Sequence, residues 1–263
     1  MVDLYLYPET AEPLTSTSRF RFHCHPGLSC FNACCRQPTI ILKPYDILRL
    51  KKRLAITSTA FLTRYTLKIT EGSSGLPLRL LALRGERGCP FLEPNAGCTV
   101  YEDRPAACRL FPVIQGSSLR GGKVQEAYFL KKLDFCGGFA PGPEWTLEHW
   151  QADQGLARFD ELNHEWVSIL LHVGARSAMA VNAQGVRLFE LAVYDLDNFR
   201  RLVLETAFAS THAIPPNLAD RMRRSDEALL RLGYAYARLV LHLTDARELQ
   251  AVLHSLASLP ADS

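Results

Sequence analysis

The sequence predicts an α+β protein: a small irregular cysteine-rich metal-binding module with short strands and helices, followed by a mainly helical C-terminal region. Three observations predict it. All eight cysteines lie between positions 24 and 136, and none follows. The residues among them are punctuated by Pro26-Gly27, Pro90, Pro94-Asn95, Gly97 and Pro105, which set tight turns and leave backbone N–H groups free to point at a ligand. Beyond the Pro/Gly loop at residues 140–143 the apolar residues recur at gaps of three and four. The expected organisation is an N-terminal arm over residues 1–19, the cysteine-cluster metal-binding module over 20–140, and the helical region over 141–263.

Residues 1–19 carry no clear periodicity and read as a poorly patterned arm. Thr39 to Leu42 read as a short strand. Pro44 suits the first turn of a helix reaching Leu54, with Ile47, Leu48, Leu50 and Leu54 on its buried side. A second helix is expected from Ser58 to Tyr65. Leu67–Thr70 and Leu78–Arg84 read as strands joined by the turn from Gly72 to Gly75. The stretch from Cys89 to Cys108 is mostly loop, with a short helix carrying Cys108. Gly116 to Lys123 is the turn of a hairpin between the strands at Pro112 and at Gln125–Leu130.

In the second half, Leu156, Phe159, Leu162, Trp166, Ile169, Leu170 and Val173 share one helical face, and Gly174 is the expected stop. Val186 to Tyr194 are expected to hold a short strand pair, with a turn near Asn182. A helix starts at Asp195 or Asp197 and runs through Leu204. After Pro215-Pro216, Asn217 is expected to cap one long helix reaching Leu243. Asp245 and Glu248 fit a capping box for the last helix.

Composition excludes several classes. Thirty basic and 27 acidic residues leave a net charge of only +3, so there is no general pull toward nucleic acid. The run Lys51-Lys52-Arg53 suits a helix C-terminus, and Arg221, Arg223 and Arg224 stand among acidic neighbours, so both read as solvated helix surface. No apolar run approaches the roughly 18 residues of a membrane span. The N-terminus has an acidic residue at position 3 and neither a basic start nor an apolar stretch, so no secretory signal is expected. The expected location is the cytoplasm, where thiols stay reduced.

The chemistry lies in Cys24, Cys30, Cys34, Cys35, Cys89, Cys98, Cys108 and Cys136. Disulfide scaffolds are typically short and secreted, which argues for metal ligation by thiolates instead. Cys24-x5-Cys30-x3-Cys34-Cys35 lets one loop aim several sulfurs at one point, whereas Cys89-x8-Cys98-x9-Cys108 and Cys136 must return from elsewhere in the fold. Zinc takes four such ligands, and a four-iron cluster takes four thiolates. Adjacent residues of a strand point opposite ways, so Cys34 and Cys35 can serve different centres unless a local turn brings them together. Eight sulfurs allow two four-cysteine sites, or one cluster with extra thiols, and the spacing does not choose. His23 and His25 flank Cys24 as further candidate ligands. Arg21, Arg36, Arg104 and Arg109 lie close to cysteines in sequence, where positive charge favours thiolate.

These residues resemble a known family. Phe22-x-Cys24, Cys30-x3-Cys34-Cys35, the CPFL of Cys89 to Leu92 and the CTVYEDRPAACRLFP of Cys98 to Pro112 are similar, in order, to the YkgJ-type cysteine-cluster family, also called the zinc- or iron-chelating domain. The resemblance covers about residues 20 to 140. Compact members open with C-x2-C-x2-CC, and the gaps here are wider. The resemblance implies zinc or an iron–sulfur cluster, 4Fe-4S among the options, as cofactor. A similar motif in flagellin lysine methylases implies group transfer as an alternative, with Tyr101, Glu102, Asp103 and Arg104 lining a pocket beside the cluster. The competing reading of those four residues is support for the ligand loop. A metal carrier or redox sensor is the second alternative, and the helical region offers a surface for a protein partner.

Other motifs fail. The C-x3-C-x2-C of radical-forming clusters would need cysteine where Gln37 stands. The phosphate-loop spacing around Gly116 to Lys123 is one residue too long, and Ser168 replaces the second histidine after His164-Glu165.

Overall fold

The computed structural model describes residues 3–4, 11–93, 96–140, 142–176 and 181–258. In chain order the first half holds β1 (Asp3–Leu4), β2 (Glu12–Leu14), β3 (Phe20–Arg21), a 3-10 turn over Ala33–Cys35, β4 (Ile41–Leu42), α1 (Pro44–Arg53), α2 (Ser58–Tyr65), β5 (Thr66–Thr70), β6 (Pro77–Leu81), β7 (Leu92–Glu93), β8 (Gly97–Cys98), α3 (Ala106–Leu110), β9 (Val113–Arg120) and β10 (Lys123–Leu130). Then come β11 (Glu144–Trp145) and the helices α4 (Leu147–Asp153), α5 (Ala157–Ala175), α6 (Ala183–Val193), α7 (Leu196–Glu205), α8 (Phe208–Thr211), α9 (Pro216–Arg224), α10 (Asp226–Val240) and α11 (Ala246–Ser258). The architecture is α+β, with small antiparallel sheets ahead of a helical C-terminal region.

Local chemistry explains the starts. Pro44 stands at the head of α1, and Asp46 accepts from the Lys43 N–H at 2.9 Å, so a buried carboxylate closes the first turn. Thr57 caps α2 by accepting from the Ala60 N–H at 3.2 Å. Asp245 caps α11, accepting from Arg247 and Glu248 N–H at 2.8 and 2.9 Å, while Glu248 reaches back to the Asp245 N–H at 3.3 Å. The three-stranded sheet β4-β6-β5 follows the expected pairs, with Thr66 to Thr70 opposite Leu81 to Pro77.

Several local expectations need correction. Within the poorly patterned arm, β1 and β2 add to the two edges of the β9–β10 hairpin, in the order β1-β9-β10-β2. The hairpin turn is only Gly121-Gly122, at φ 58° and 75°, and the residues from Gly116 to Arg120 are strand. Gly174 does not stop its helix: it is buried within α5, which runs to Ala175. Val186 to Tyr194 form no strand pair: Val186, Phe189, Ala192 and Val193 lie within α6, at helical spacing, with Tyr194 at its end. Asn182 is the cap of α6 rather than a hairpin turn, accepting from the Gly185 N–H at 2.7 Å. The long helix after Pro216 is two helices, because Ser225 turns extended and caps α10 by accepting from the Ala228 N–H at 3.2 Å.

The cap of α6 makes a direct test. Asn182→Ala is expected to cost about 1 kcal/mol of stability, read as a lower urea midpoint. Asn182→Ser, which keeps an acceptor, should recover most of it.

One hydrophobic core joins residues from both halves. Tyr45 of α1 meets Phe159 of α5 edge-to-face at 5.1 Å, and the Tyr45 N–H donates to Asn163 Oδ1 at 3.1 Å. A buried ionic knot fastens the other end of α1. Lys51 Nζ lies 2.8 Å from Asp197 and 3.6 Å from Asp226, and Arg200 also pairs with Asp226. The Ser58 hydroxyl donates to Asp195 at 2.6 Å. Within the helical half α6 and α10 touch backbone to backbone: a Cβ on Gly233 would lie 2.1 Å from the Ala192 carbonyl oxygen. Among the described residues no helix is long and apolar enough to cross a membrane.

Candidate metal centre

The cysteines sit on loops and short turns fixed by this scaffold. Phe20 and Phe22 anchor the segment before Cys24 in an aromatic nest, each edge-to-face with Trp150, and Phe22 also with Phe111 and Phe139. Trp145 Nε1 donates to the Phe22 carbonyl at 2.9 Å, and β11 pairs with β3. The His23 N–H donates to the Gly138 carbonyl at 2.8 Å, so the strand leading to Cys24 runs beside the segment that follows Cys136. The Gly137 N–H then donates to Cys30 Sγ at 3.1 Å. Cys24 and Cys30 are thereby gathered on one side with Cys136, more than 100 residues further along the chain.

A second gathering forms at the other end of the 3-10 turn. The Cys89 N–H donates to the Cys35 carbonyl at 2.9 Å. Gly88 makes that approach possible. Its φ is 73° and ψ −132°, and a Cβ there would lie 2.3 Å from the Arg36 carbonyl oxygen and 2.6 Å from that of Cys35. The β7–β8 hairpin sets Cys98 opposite Leu92, and the Thr99 N–H returns to the Phe91 carbonyl at 2.9 Å. Cys108 is carried on α3, whose Ala106 N–H donates to Asp46 Oδ1 at 2.9 Å. Asp46 therefore ties α1 to the helix bearing Cys108. Burial pushes its carboxyl up to about 6, against the pull of its two N–H donors.

All eight cysteines are free thiols; Cys24, Cys34 and Cys108 are exposed and the other five half-buried. They act on one another. Burial pushes the Cys24 thiol up to about 11, with Cys34, Cys136 and Cys30 adding to the effect in that order. Burial likewise raises Cys108, followed by Cys89, Asp46, Cys98 and Cys34. Cys108 keeps contact with solvent although protein surrounds most of it. Within the adjacent pair a thiol–thiol hydrogen bond favours the Cys34 thiolate and holds Cys35 protonated. Among the described residues no three Cys, His, Asp or Glu side chains converge tightly enough to hold a metal ion.

The donors fit a thiophilic metal or a cluster on composition. The set is sulfur-rich, and a backbone N–H already points at one of the sulfurs. His25 Nδ1 accepts from the Gly27 N–H at 3.2 Å, and its ring lies 4.8 Å from that of His23, so one nitrogen of His25 is engaged locally.

The arginines divide. Burial raises the Cys98 thiol, with the Val100 N–H and the Arg104 charge pulling against it, while the Arg104 guanidinium stacks 3.9 Å over Tyr101 and donates to the Tyr101 carbonyl at 2.7 Å and to Gln154 at 2.8 Å. Arg109 points away from the thiols, donating to the carbonyls of Arg104, Gln154 and Glu102 and lying 4.6 Å over Phe159. Arg21 faces Glu144 at 3.7 Å in solvent, and Arg36 continues the 3-10 turn through its N–H to Ala33. Asp103 pairs with Arg49 of α1 at 2.5 Å. Residues 101–104 thus brace the loop between Cys98 and Cys108. Sequence reasoning missed Arg84, whose charge works against the burial that raises the Cys89 thiol, as well as Asp46 and Gly88. None of the three carries a one-dimensional signal, since each acts across a fold contact.

Comparison with known proteins supports the same region. Residues 23–137 match the family model of the CxxCxxCC zinc- or iron-chelating domain. No curated protein and no solved structure matches the chain.

Proposed function

We propose that this chain, whose residues 23–137 match a zinc- or iron-chelating family model, is a metalloprotein that holds zinc or an iron–sulfur cluster through Cys24, Cys30, Cys34, Cys35, Cys89, Cys98, Cys108 and Cys136. The observation that supports this most is the gathering of eight free thiols from four separate chain segments into mutual electrostatic contact. Neighbouring thiols make one another harder to ionise, and a bound cation reverses that penalty. Zinc bound there supplies structural closure, whereas a cluster supplies one-electron chemistry. The chain's own residues do the rest. Gly137 offers its N–H to sulfur, Arg84 and Arg104 place positive charge near Cys89 and Cys98, and the aromatic nest and Asp46 hold the loops. Eight accessible or half-buried thiols suit a reducing compartment such as the cytoplasm.

Purification without oxygen, followed by metal and acid-labile sulfide analysis and a visible spectrum, tests this. Bound zinc, or iron with sulfide, is expected, and its removal by a strong chelator should lower the melting temperature by several degrees because binding contributes folding free energy. A metal-free protein with its cysteines paired in disulfides would sink the reading.

A further inference from the structure

We infer that the eight cysteines form two separate four-thiolate sites, one of Cys24, Cys30, Cys34 and Cys136 and one of Cys35, Cys89, Cys98 and Cys108, with the adjacent pair divided between them. This rests on the thiolate-metal reading above.

Three independent features draw the division. The first is chain path. The N–H of His23 on the Gly138 carbonyl and the N–H of Gly137 on Cys30 Sγ knit the segments of Cys24, Cys30 and Cys136 together. The N–H of Cys89 on the Cys35 carbonyl, the close seat of Gly88 on the Cys35–Arg36 backbone, and the β7–β8 hairpin knit the segments of Cys35, Cys89 and Cys98 together. The two sets meet in the 3-10 turn, where the Ala33 N–H donates to the Cys30 carbonyl at 2.9 Å and the Cys35 N–H to the Asn32 carbonyl at 3.0 Å.

The second feature is proximity among sulfurs. Cys24 lies within electrostatic reach of Cys30, Cys34 and Cys136, and Cys136 within reach of Cys30 and Cys34. Cys35 is in reach of Cys89 and Cys108, Cys108 of Cys89 and Cys98, and Cys89 of Cys98. Between the sets Cys34 is the bridge, in reach of Cys35 and Cys108.

The third is the shape of the turn. Cys34 and Cys35 lie in a 3-10 turn, not a strand. Successive residues of a 3-10 helix are about 120° apart around its axis, so neighbouring side chains diverge enough to face two sites while staying in contact. Each set then numbers four, the count that closes a structural zinc site or ligates one cluster.

Cadmium(II) is the probe, because it takes thiolate ligands and is visible by 113Cd NMR. The reduced full-length chain is expected to bind two equivalents and show two resonances of equal intensity. Cys136→Ser and Cys34→Ser should abolish or shift one resonance, and Cys98→Ser and Cys35→Ser the other. One equivalent, three or more equivalents, or a single resonance in the unsubstituted protein overturns the two-site assignment while leaving metal binding intact. So does an effect of Cys34→Ser and Cys35→Ser on the same resonance. A chain that binds no cadmium overturns the metal reading itself, and the assignment with it. The count in the unsubstituted protein decides the matter even where a variant fails to fold.

Discussion

Gly88→Ala is expected to destabilise the protein by on the order of 3 kcal/mol or more, and to loosen the meeting of Cys35 with Cys89. Two costs add. The backbone at φ 73°, ψ −132° is one that residues with a Cβ scarcely adopt. The new methyl would also stand 2.3 Å from the Arg36 carbonyl oxygen and 2.6 Å from that of Cys35, both backbone atoms with little freedom to retreat. Relief requires the turn to back away, which breaks the Cys89 N–H bond to Cys35. Gly85, three residues earlier at φ 56°, is the control, because a Cβ added there would meet nothing within 4 Å. Gly85→Ala carries the conformational cost alone, about 1 kcal/mol. Urea unfolding of the reduced, metal-free chain separates the two, and equal midpoints for both variants would contradict the close contact.

Lys51→Ala should cost about 3–5 kcal/mol. The ammonium group is buried between Asp197 and Asp226, with 8 % of its side chain exposed. Removing it leaves the buried Asp226 and the half-buried Asp197 with Arg200 and Lys52 to balance them. Lys52→Ala, at a side chain more than half exposed, should stay within about 0.5 kcal/mol. The knot also has a pH signature. Hydrogen bonds and charge from Lys51 and Ser58 hold Asp197 below the usual carboxylate range, and Arg200 does the same for Asp226, in both cases against burial. A carboxylate held low in the folded state contributes stability above its unfolded value of about 3.9. That contribution is lost as pH falls through the lowered folded value. Acid unfolding as pH falls below about 4 should therefore be steep in the native protein and flatter in Lys51→Ala. Identical acid profiles would show that the knot does not act this way.

Elements whose information is local were legible. Pro44 and the Asp245/Glu248 pair announce helix starts by their own backbone chemistry, and the structure places α1 and α11 there. The stripe from Leu156 to Val173 announces α5. The errors arose where two local signals compete. Asn182 suits both a turn and a helix cap, and the short apolar run to Tyr194 suits both strand and helix. The helical choice follows from packing: Phe189, Ala192 and Val193 are fully buried, and Ala192 lies against Gly233 of α10. Ser225 likewise breaks a pattern that is helical on both sides of it, because its side chain satisfies the first turn of α10.

The cysteines with which the site begins follow the same division. Their number, their confinement to residues 24–136 and the motifs around them are one-dimensional facts, and they sufficed to point to the zinc- or iron-chelating family model that residues 23–137 match. Which sulfurs meet is set by contacts between residues far apart in sequence, such as Gly137 on Cys30, Gly88 on Cys35 and Asp46 on the helix of Cys108. A backbone hydrogen bond or a close glycine seat carries no residue-type signature at its distant end. Only the folded chain could sort the eight thiols into neighbours, because that sorting is made by the scaffold and not by the spacing of the cysteines themselves.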